Sequence, residues 1–249
     1  MKNLNLVIVG GGAGLGALLA EMAVADGAAG IGIIDINGEA AEAALASAKA
    51  KGLKTASAAC DIRTAAASHA AFARVASALG RVDTLVNSAA IYPRRPTLGV
   101  TDEEWDLSNA INIKGTYHMM VAAIDHMKVQ EPVAHVRGRI VNITSVDAFK
   151  AHPKNIHYAA TKAAVVSLTR SVADYVAADG ILVNSVAPAG MATEKARQSG
   201  FLEELAKASP LGRGALPTEI AEWILMAGGP KNTYMTGENI IVSGGYIYA

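Results

Sequence analysis

The sequence has a single cysteine, Cys60, so no disulfide can close within the chain. Its alanine-rich flanks lack the basic or helix-terminal setting that activates a thiol, and it reads as a small buried residue. The six histidines (His69, His118, His126, His135, His152 and His157) show neither an HExxH spacing nor a cluster with cysteine, which argues against a metal. Excess charge of one sign is also missing. With 22 Lys plus Arg against 22 Asp plus Glu, there is no net field to draw in nucleic acid or an anionic membrane surface, and small molecules are the expected partners. No run of eighteen apolar residues suggests a membrane span, and no repeat, low-complexity tract or Pro/Ser-rich linker divides the chain.

What is present is apolar material for a core: 51% hydrophobic and 18% charged residues over a length of 249, within reach of one large α/β unit. The first thirty residues superficially resemble a secretory signal, with Lys2, an apolar stretch, and small residues near Ala23 and Ala25. Five glycines between Gly10 and Gly16 interrupt that stretch, so it reads better as strand, loop and helix, and the protein is expected in the cytoplasm. Short β-branched runs alternate with Ala-rich stretches throughout. Strands are expected at Leu4–Val9, Gly30–Ile34, Lys54–Ala59, Thr84–Val86, Arg139–Thr144, Ile181–Ala187 and Asn239–Val242, and helices at 14–26, 38–51, 64–79, 103–128, 157–179 and 218–228. This pattern predicts a single-domain, doubly wound (Rossmann) parallel sheet of about seven strands with helices on both faces. The one long irregular stretch, Pro188 to Pro217, follows a strand's carboxyl end and is a candidate substrate lid over residues 188–217.

Gly10-Gly11-Gly12-Ala13-Gly14-Leu15-Gly16 follows the first strand and opens the first helix, where backbone amides and a helix N-terminus can hold a pyrophosphate. Taken alone, such a turn also suits any tight bend. Asp35, followed by Ile36, lies at the end of the second strand about twenty residues on, where a carboxylate accepts hydrogen bonds from adenosine ribose hydroxyls. A 2′-phosphate there would meet a like charge with no Lys or Arg close in sequence to offset it, so NAD is favoured over NADP. The alternative role for Asp35 is a helix cap beside Asn37. Asp61-Ile62 and Asn87-Ser88-Ala89-Ala90 end the third and fourth strands and collect along the same sheet edge.

Tyr158 and Lys162 stand four apart on a predicted helix, which puts phenol and ammonium on one face. A neighbouring ammonium together with an oxidised nicotinamide favours a phenolate, a useful general base. The plain alternative is an amphipathic surface. Ser145, just past the fifth predicted strand, can bind a carbonyl or hydroxyl oxygen or merely cap a turn; Asn112 is locally unfavourable inside a helix, which hints at a second duty.

Together these residues resemble the short-chain dehydrogenase/reductase family, in the right order over essentially the whole chain. The family's Thr-Gly-x-x-x-Gly-x-Gly appears as Val9 to Gly16, its adenine-contacting Asp as Asp61, and its Asn-Asn-Ala-Gly as Asn87-Ser88-Ala89-Ala90. Its catalytic Asn, Ser, Tyr and Lys correspond to Asn112, Ser145, Tyr158 and Lys162, and its nicotinamide-contacting segment resembles Pro188-Ala189-Gly190-Met191-Ala192-Thr193. The departures are Val9 for Thr, Ser88 for Asn, Ala90 and Ala189 for Gly, and Ser243 for a common Asp. The resemblance implies a cofactor site of Gly10, Gly12, Ala13, Gly14, Leu15, Gly16, Asp35, Ile36, Asp61, Ile62, Asn87, Ala89, Tyr158, Lys162, Pro188, Met191 and Thr193. It implies that Tyr158 is general base in oxidation and acid in reduction, and that Ser145 orients the substrate oxygen. Lys162 would lower the Tyr158 pKa and hold the nicotinamide ribose, and Asn112 would support a water that carries the proton outward.

Pocket candidates are Ile91, Tyr92, Arg94, Arg95, Asp147, His152, Met191 and the segment Ala196 to Leu211, with Arg94 and Arg95 able to attract an anion. The favoured substrate is a secondary alcohol and ketone pair. The alternatives are reduction of a 3-oxoacyl thioester and, from another class, a nucleotide sensor without turnover. A homotetramer is expected, with the apolar end Tyr246-Ile247-Tyr248-Ala249 against a neighbour.

Overall fold

The structure is a computed structural model that describes residues 1–93, 95–96, 98–193, 196, 198 and 202–248. Its first strand, β1 (Asn5–Val9), is buried at every position, with Leu6 and Ile8 in one core and Val7 and Val9 in the other. A strand covered on both faces needs apolar side chains at successive positions. The other strands are β2 (Gly30–Asp35), β3 (Lys54–Ala59), β4 (Thr84–Asn87), β5 (Gly138–Ile143), β6 (Ile181–Pro188) and β7 (Asn239–Val242). They form one sheet in the order β3-β2-β1-β4-β5-β6-β7, every pairing parallel. The chain starts at β1, winds outward to β3, returns across β1 to β4, and winds out the other way to β7. The loops after β1 and β4 therefore diverge and open a crevice at the strands' carboxyl ends.

Helices cover both faces. α4 (Ala65–Leu79), α6 (Thr116–Lys128) and α7 (Ile156–Val176) contribute Phe72, Val75, Met119, Met120, Met127 and Val176 to one core. α1 (Gly14–Ala25) and α9 (Pro217–Gly228) contribute Leu19, Ile220 and Ile224 to the other. Cys60 is buried, and burial pushes its thiol pKa up. Among the described residues no helix is long and apolar enough to cross a membrane.

Three stretches differ from expectation. The helix at 38–51 is two short ones, α2 (Gly38–Ala43) and α3 (Ala46–Ala50), because Ala44 and Leu45 carry ψ values of −13° and −1° that unwind the turn between them. The helix at 103–128 begins as α5 (Asp102–Ser108), with a capping box between Thr101 and Glu104, passes through a π-helical stretch at Asn109–Gly115, and only then continues as α6. The stretch at 188–217 is not wholly irregular: it contains α8 (Leu202–Ala208), and its base is closed by the pairing of Met191 with Ala215. The Ala192 amide donates to the Ala215 carbonyl at 2.8 Å, and the Ala215 amide to the Gly190 carbonyl at 3.1 Å.

Candidate active site

The glycine loop is built by close approach. Gly10 has φ +75°, and a Cβ there would lie 2.6 Å from the Ala89 amide nitrogen, so the turn after β1 lies directly against the turn after β4. A Cβ on Gly16 would press into the Gly10 carbonyl and lie 2.8 Å from the Gly11 Cα, which seats α1 on the loop. Gly14, at φ +56°, faces open space instead. Ala13 is the N-cap of α1 and supplies no side-chain bond to its free amides, and the first turn has no acidic residue. An uncapped helix start behind a loop too tight for side chains fits a phosphate-bearing ligand.

Asp35 stands at the end of β2. Its Oδ2 accepts from the Gly12 amide and its Oδ1 from the Asn37 amide, both at 2.9 Å, so one carboxylate braces the loop and borders it. The capping role belongs to Asn37, whose side chain accepts from the Ala40 amide at 3.0 Å at the start of α2. Ile36 is exposed. Asp61 accepts from the Arg63 amide at 3.1 Å and its Nε at 2.7 Å, and the guanidinium holds the carboxyl below its usual range. Ile62 is buried, and its carbonyl lies 3.1 Å from His118 Nδ1.

Asn87 turns its side chain into the sheet. Strand register pairs it with Asn142, and its Nδ2 donates to Asn142 Oδ1 at 2.9 Å, while Asn142 donates to Thr169 at 3.0 Å. The departures at Ser88, Ala90 and Ala189 are accommodated, since none of the three needs a positive φ. The Ser88 amide donates to Val9 at 2.9 Å and the Ala189 amide to Val242 at 3.1 Å, while Gly190 is the position with no room for a side chain, against Leu205. Ser243 closes the C-terminal turn, donating to the Ile247 carbonyl at 3.1 Å.

At the other end of the crevice, Tyr158 and Ser145 share a hydrogen bond. Burial and the nearby Asp147 carboxylate push the phenol well above its usual pKa, and the Ser145 bond only partly offsets them. Lys162 is buried, donates to the Ile143 carbonyl at 2.6 Å, and has its Nζ 5.5 Å from the Tyr158 ring centroid. Burial brings its pKa down to about 8. The groups acting on the phenol are burial first, then Asp147 and Ser145, while the Lys162 ammonium is directed at the Ile143 carbonyl. Asn112 is buried in the π-helical stretch, where its Oδ1 accepts from the Ile91 amide at 2.9 Å and its Nδ2 donates to the Ile91 carbonyl at 2.8 Å and to Thr161 Oγ1 at 3.1 Å. One side chain thus ties the loop after β4 to the turn of α7 that carries Lys162. π-helical turns often mark functional sites for this reason, since the extra residue redirects side chains.

Of the pocket candidates, Tyr92 meets the Tyr158 ring edge-on, with centroids 6.0 Å apart. His152 Nε2 lies 3.7 Å from Asp147 Oδ2. Met191 and Thr193 lie at the base of the 188–217 segment, where the Thr193 amide donates to the Met191 carbonyl at 2.9 Å, and Pro188 is buried at the end of β6. Arg95 is committed to Glu104 at 2.5 Å; Arg94, Ala249 and parts of the 196–211 segment lie outside the described residues. Sequence reasoning missed Lys150, which bonds the Tyr246 hydroxyl and stacks over its ring, and the buried Asn87–Asn142–Thr169 chain. A polar residue at matching positions of two apolar strands was the signal available for the latter.

A family model described as Enoyl-(Acyl carrier protein) reductase matches residues 10–247. Short-chain reductase protein NovJ of Streptomyces niveus is 34% identical over 248 residues, covering 96% of this chain and 92% of its own. The chain belongs to the short-chain dehydrogenase/reductase family. A further relative in that family, D-threitol dehydrogenase of Mycolicibacterium smegmatis, is 32% identical over 243 residues, covering 96% of this chain and 91% of its own. The crystal structure of a gluconate 5-dehydrogenase from Burkholderia cenocepacia in complex with NADP and tartrate superimposes with a TM-score of 0.89 at 30% identity, covering 99% of this chain and 96% of the other. This short-chain dehydrogenase/reductase is an oxidoreductase with a nicotinamide cofactor.

Proposed function

We propose that the protein is an NAD-preferring alcohol dehydrogenase or carbonyl reductase acting on the CH–OH group of secondary alcohols and on the matching ketones, with Tyr158 as general acid and base. The observation that carries this is the hydrogen-bonded Tyr158 and Ser145 pair set beside buried Lys162 at the crevice. The glycine loop, the uncapped start of α1 and Asp35 are the groups that would hold the dinucleotide; Tyr158, Lys162, Pro188, Met191 and Thr193 border its nicotinamide end. When bound, the nicotinamide supplies the hydride acceptor in oxidation and the donor in reduction.

Ser145 orients the substrate oxygen, and Tyr158 takes the hydroxyl proton in oxidation or returns it in reduction. Burial and Asp147 keep the phenol protonated in the protein alone, the form that donates a proton in reduction. Asn112 supports the proton's way out by fixing Ile91 and Thr161 around Lys162. The Asp35 carboxylate supports the preference for NAD, because a 2′-phosphate would meet its charge. We further propose that residues 188–217 act as the lid, that the enzyme is cytoplasmic, and that copies assemble as a homotetramer using exposed apolar groups such as Tyr248.

A second reading, reduction of a 3-oxoacyl thioester, draws on the acyl-carrier wording of the matching family model. The deciding experiment follows NADH absorbance over a panel of secondary alcohols, ketones and a 3-oxoacyl thioester, with Tyr158→Phe as control. Tyr158→Phe is expected to lower kcat by about 10³-fold while NADH still binds. A wild type that binds the nucleotide and turns over nothing would support the sensor and overturn the enzyme.

A further inference from the structure

Resting on the alcohol reading and the lid just given, we infer that Tyr246 and Lys150 are positioning residues for the reaction: they clasp the loop between Ser145 and Tyr158 onto the C-terminal turn and so hold the substrate side of the crevice.

Ser145 and Tyr158 stand at the two ends of one excursion of the chain, from the end of β5 to the first turn of α7. Near Ser145 the excursion is pinned by its own backbone: the Ala148 amide donates to the Ser145 carbonyl and the Phe149 amide to the Val146 carbonyl, both at 3.0 Å. Near α7 the Asn155 amide donates to the His152 carbonyl at 3.0 Å. Lys150 lies between these two anchors. Its ammonium donates to the Tyr246 hydroxyl and stands over the same ring, 3.9 Å from the centroid. The two residues are 96 positions apart, so the contact fastens the loop to a separate part of the chain.

The turn that presents Tyr246 is itself well braced. It leaves β7 where Val242 pairs with Pro188 of β6. The Tyr246 amide donates to the Ser243 carbonyl at 3.1 Å, and Ser243 Oγ donates to the Ile247 carbonyl at 3.1 Å and accepts from its amide at 3.4 Å. The same turn holds the far end of the 188–217 segment, since the Gly244 carbonyl accepts from Ser209 Oγ at 3.0 Å and from the Leu211 amide at 3.3 Å. One support therefore carries the loop after β5 and both ends of the lid. A cation over an aromatic ring and a hydrogen bond from a charged donor both favour the held loop, and losing the two shifts the balance towards a released loop by at least about tenfold. Substrate affinity falls with the fraction held, whereas a substrate bound to the held form meets Ser145 and Tyr158 as before. The signature is a raised KM with kcat kept. Damage to the fold would do the reverse, lowering the active fraction and hence kcat while the intact molecules keep their KM.

Steady-state kinetics with the panel alcohol that the wild type oxidises best, and NADH binding by fluorescence titration, test this in the full chain. Lys150→Met and Tyr246→Leu should each raise KM for the alcohol at least about threefold, with kcat and the NADH Kd within about twofold of wild type. Lys150→Arg keeps both the donor and the cation over the ring and should restore KM to within about twofold. Tyr246→Phe, which loses the hydroxyl alone and keeps the packing, should fall between wild type and Tyr246→Leu. The double variant Lys150→Met/Tyr246→Leu should show a KM no higher than the larger single one, because the contact can be lost once only. A KM within twofold of wild type in both Lys150→Met and Tyr246→Phe overturns the inference and leaves the alcohol reading intact. So does a loss confined to kcat, a weakening of NADH binding equal to the rise in KM, or single effects that multiply in the double variant. No turnover of any panel member by the wild type overturns the alcohol reading and the inference together.

Discussion

Asp35 offers the sharpest test of how the cofactor end works, because its carboxylate has two jobs that a single substitution separates. Asp35→Asn keeps one acceptor oxygen and turns the other into a donor, so either the Gly12 or the Asn37 amide loses its partner. The charge also disappears. A charge-assisted bond from a ribose hydroxyl contributes about 1.5 to 3 kcal/mol, and the repulsion between a carboxylate and a 2′-phosphate a few ångströms away costs about 1 to 4 kcal/mol at a partly solvated site. Taking the lower limits, the substitution shifts the balance between the two nucleotides by about 2.5 kcal/mol, roughly a 60-fold fall in the NAD-over-NADP affinity ratio. The assay is titration of intrinsic fluorescence with NADH and NADPH for wild type and variant, with a thermal melt of the free proteins to account for the lost brace on Gly12. The reasoning is refuted if the wild type binds NADPH as tightly as NADH, or if the ratio is unmoved in a variant that still melts cooperatively.

Gly16→Ala should abolish nucleotide binding, since its Cβ meets backbone atoms of Gly10 and Gly11, whereas Gly14→Ala, with open space and only an unfavourable φ, should cost about 1 to 2 kcal/mol of stability; fluorescence titration and melting distinguish them. Asn112→Ala strips partners from the Ile91 amide and carbonyl and should destabilise the fold by about 2 to 4 kcal/mol, which lowers the melting midpoint by several degrees and slows turnover. Lys162 carries a depressed folded-state pKa of about 8 against 10.5 unfolded, so its buried charge costs stability below pH 8. That cost fades as pH rises towards 10.5, because the unfolded chain then binds more protons than the folded one. The stability gap between Lys162→Met and wild type should therefore shift in favour of wild type across pH 8 to 10.5 in denaturant titrations; a gap independent of pH would refute it.

Much of the fold could be read from periodicity. β1 is apolar from Leu6 to Val9 and β6 is apolar apart from Asn184 and Ser185, and the seven expected strands appear within a residue or so of their observed ends. What eluded the sequence was local geometry. Nothing in Glu-Ala-Ala-Glu-Ala-Ala-Leu-Ala announces the break at Ala44 and Leu45, since alanine favours helix equally on either side. The π-helical stretch carries Asn112, whose tertiary bonds to Ile91 and Thr161 no spacing rule encodes. Tyr158 and Lys162 were legible because four residues is one helical turn. That Lys162 donates to the Ile143 carbonyl, and that burial and then Asp147 raise the phenol, depends on how the end of β5 meets α7.

The sheet order bears on how the enzyme can fail. The crevice residues come from the ends of separate strands: Gly10 after β1, Asp35 at β2, Asp61 beyond β3, Asn87 at β4, Ser145 beyond β5 and Pro188 at β6. Loosening one strand displaces a group that no other strand can replace, and the parallel pairings join segments far apart in the chain. Turnover is thus an all-or-none gauge of assembly. A preparation at half specific activity is better understood as half its molecules intact than as every molecule half able.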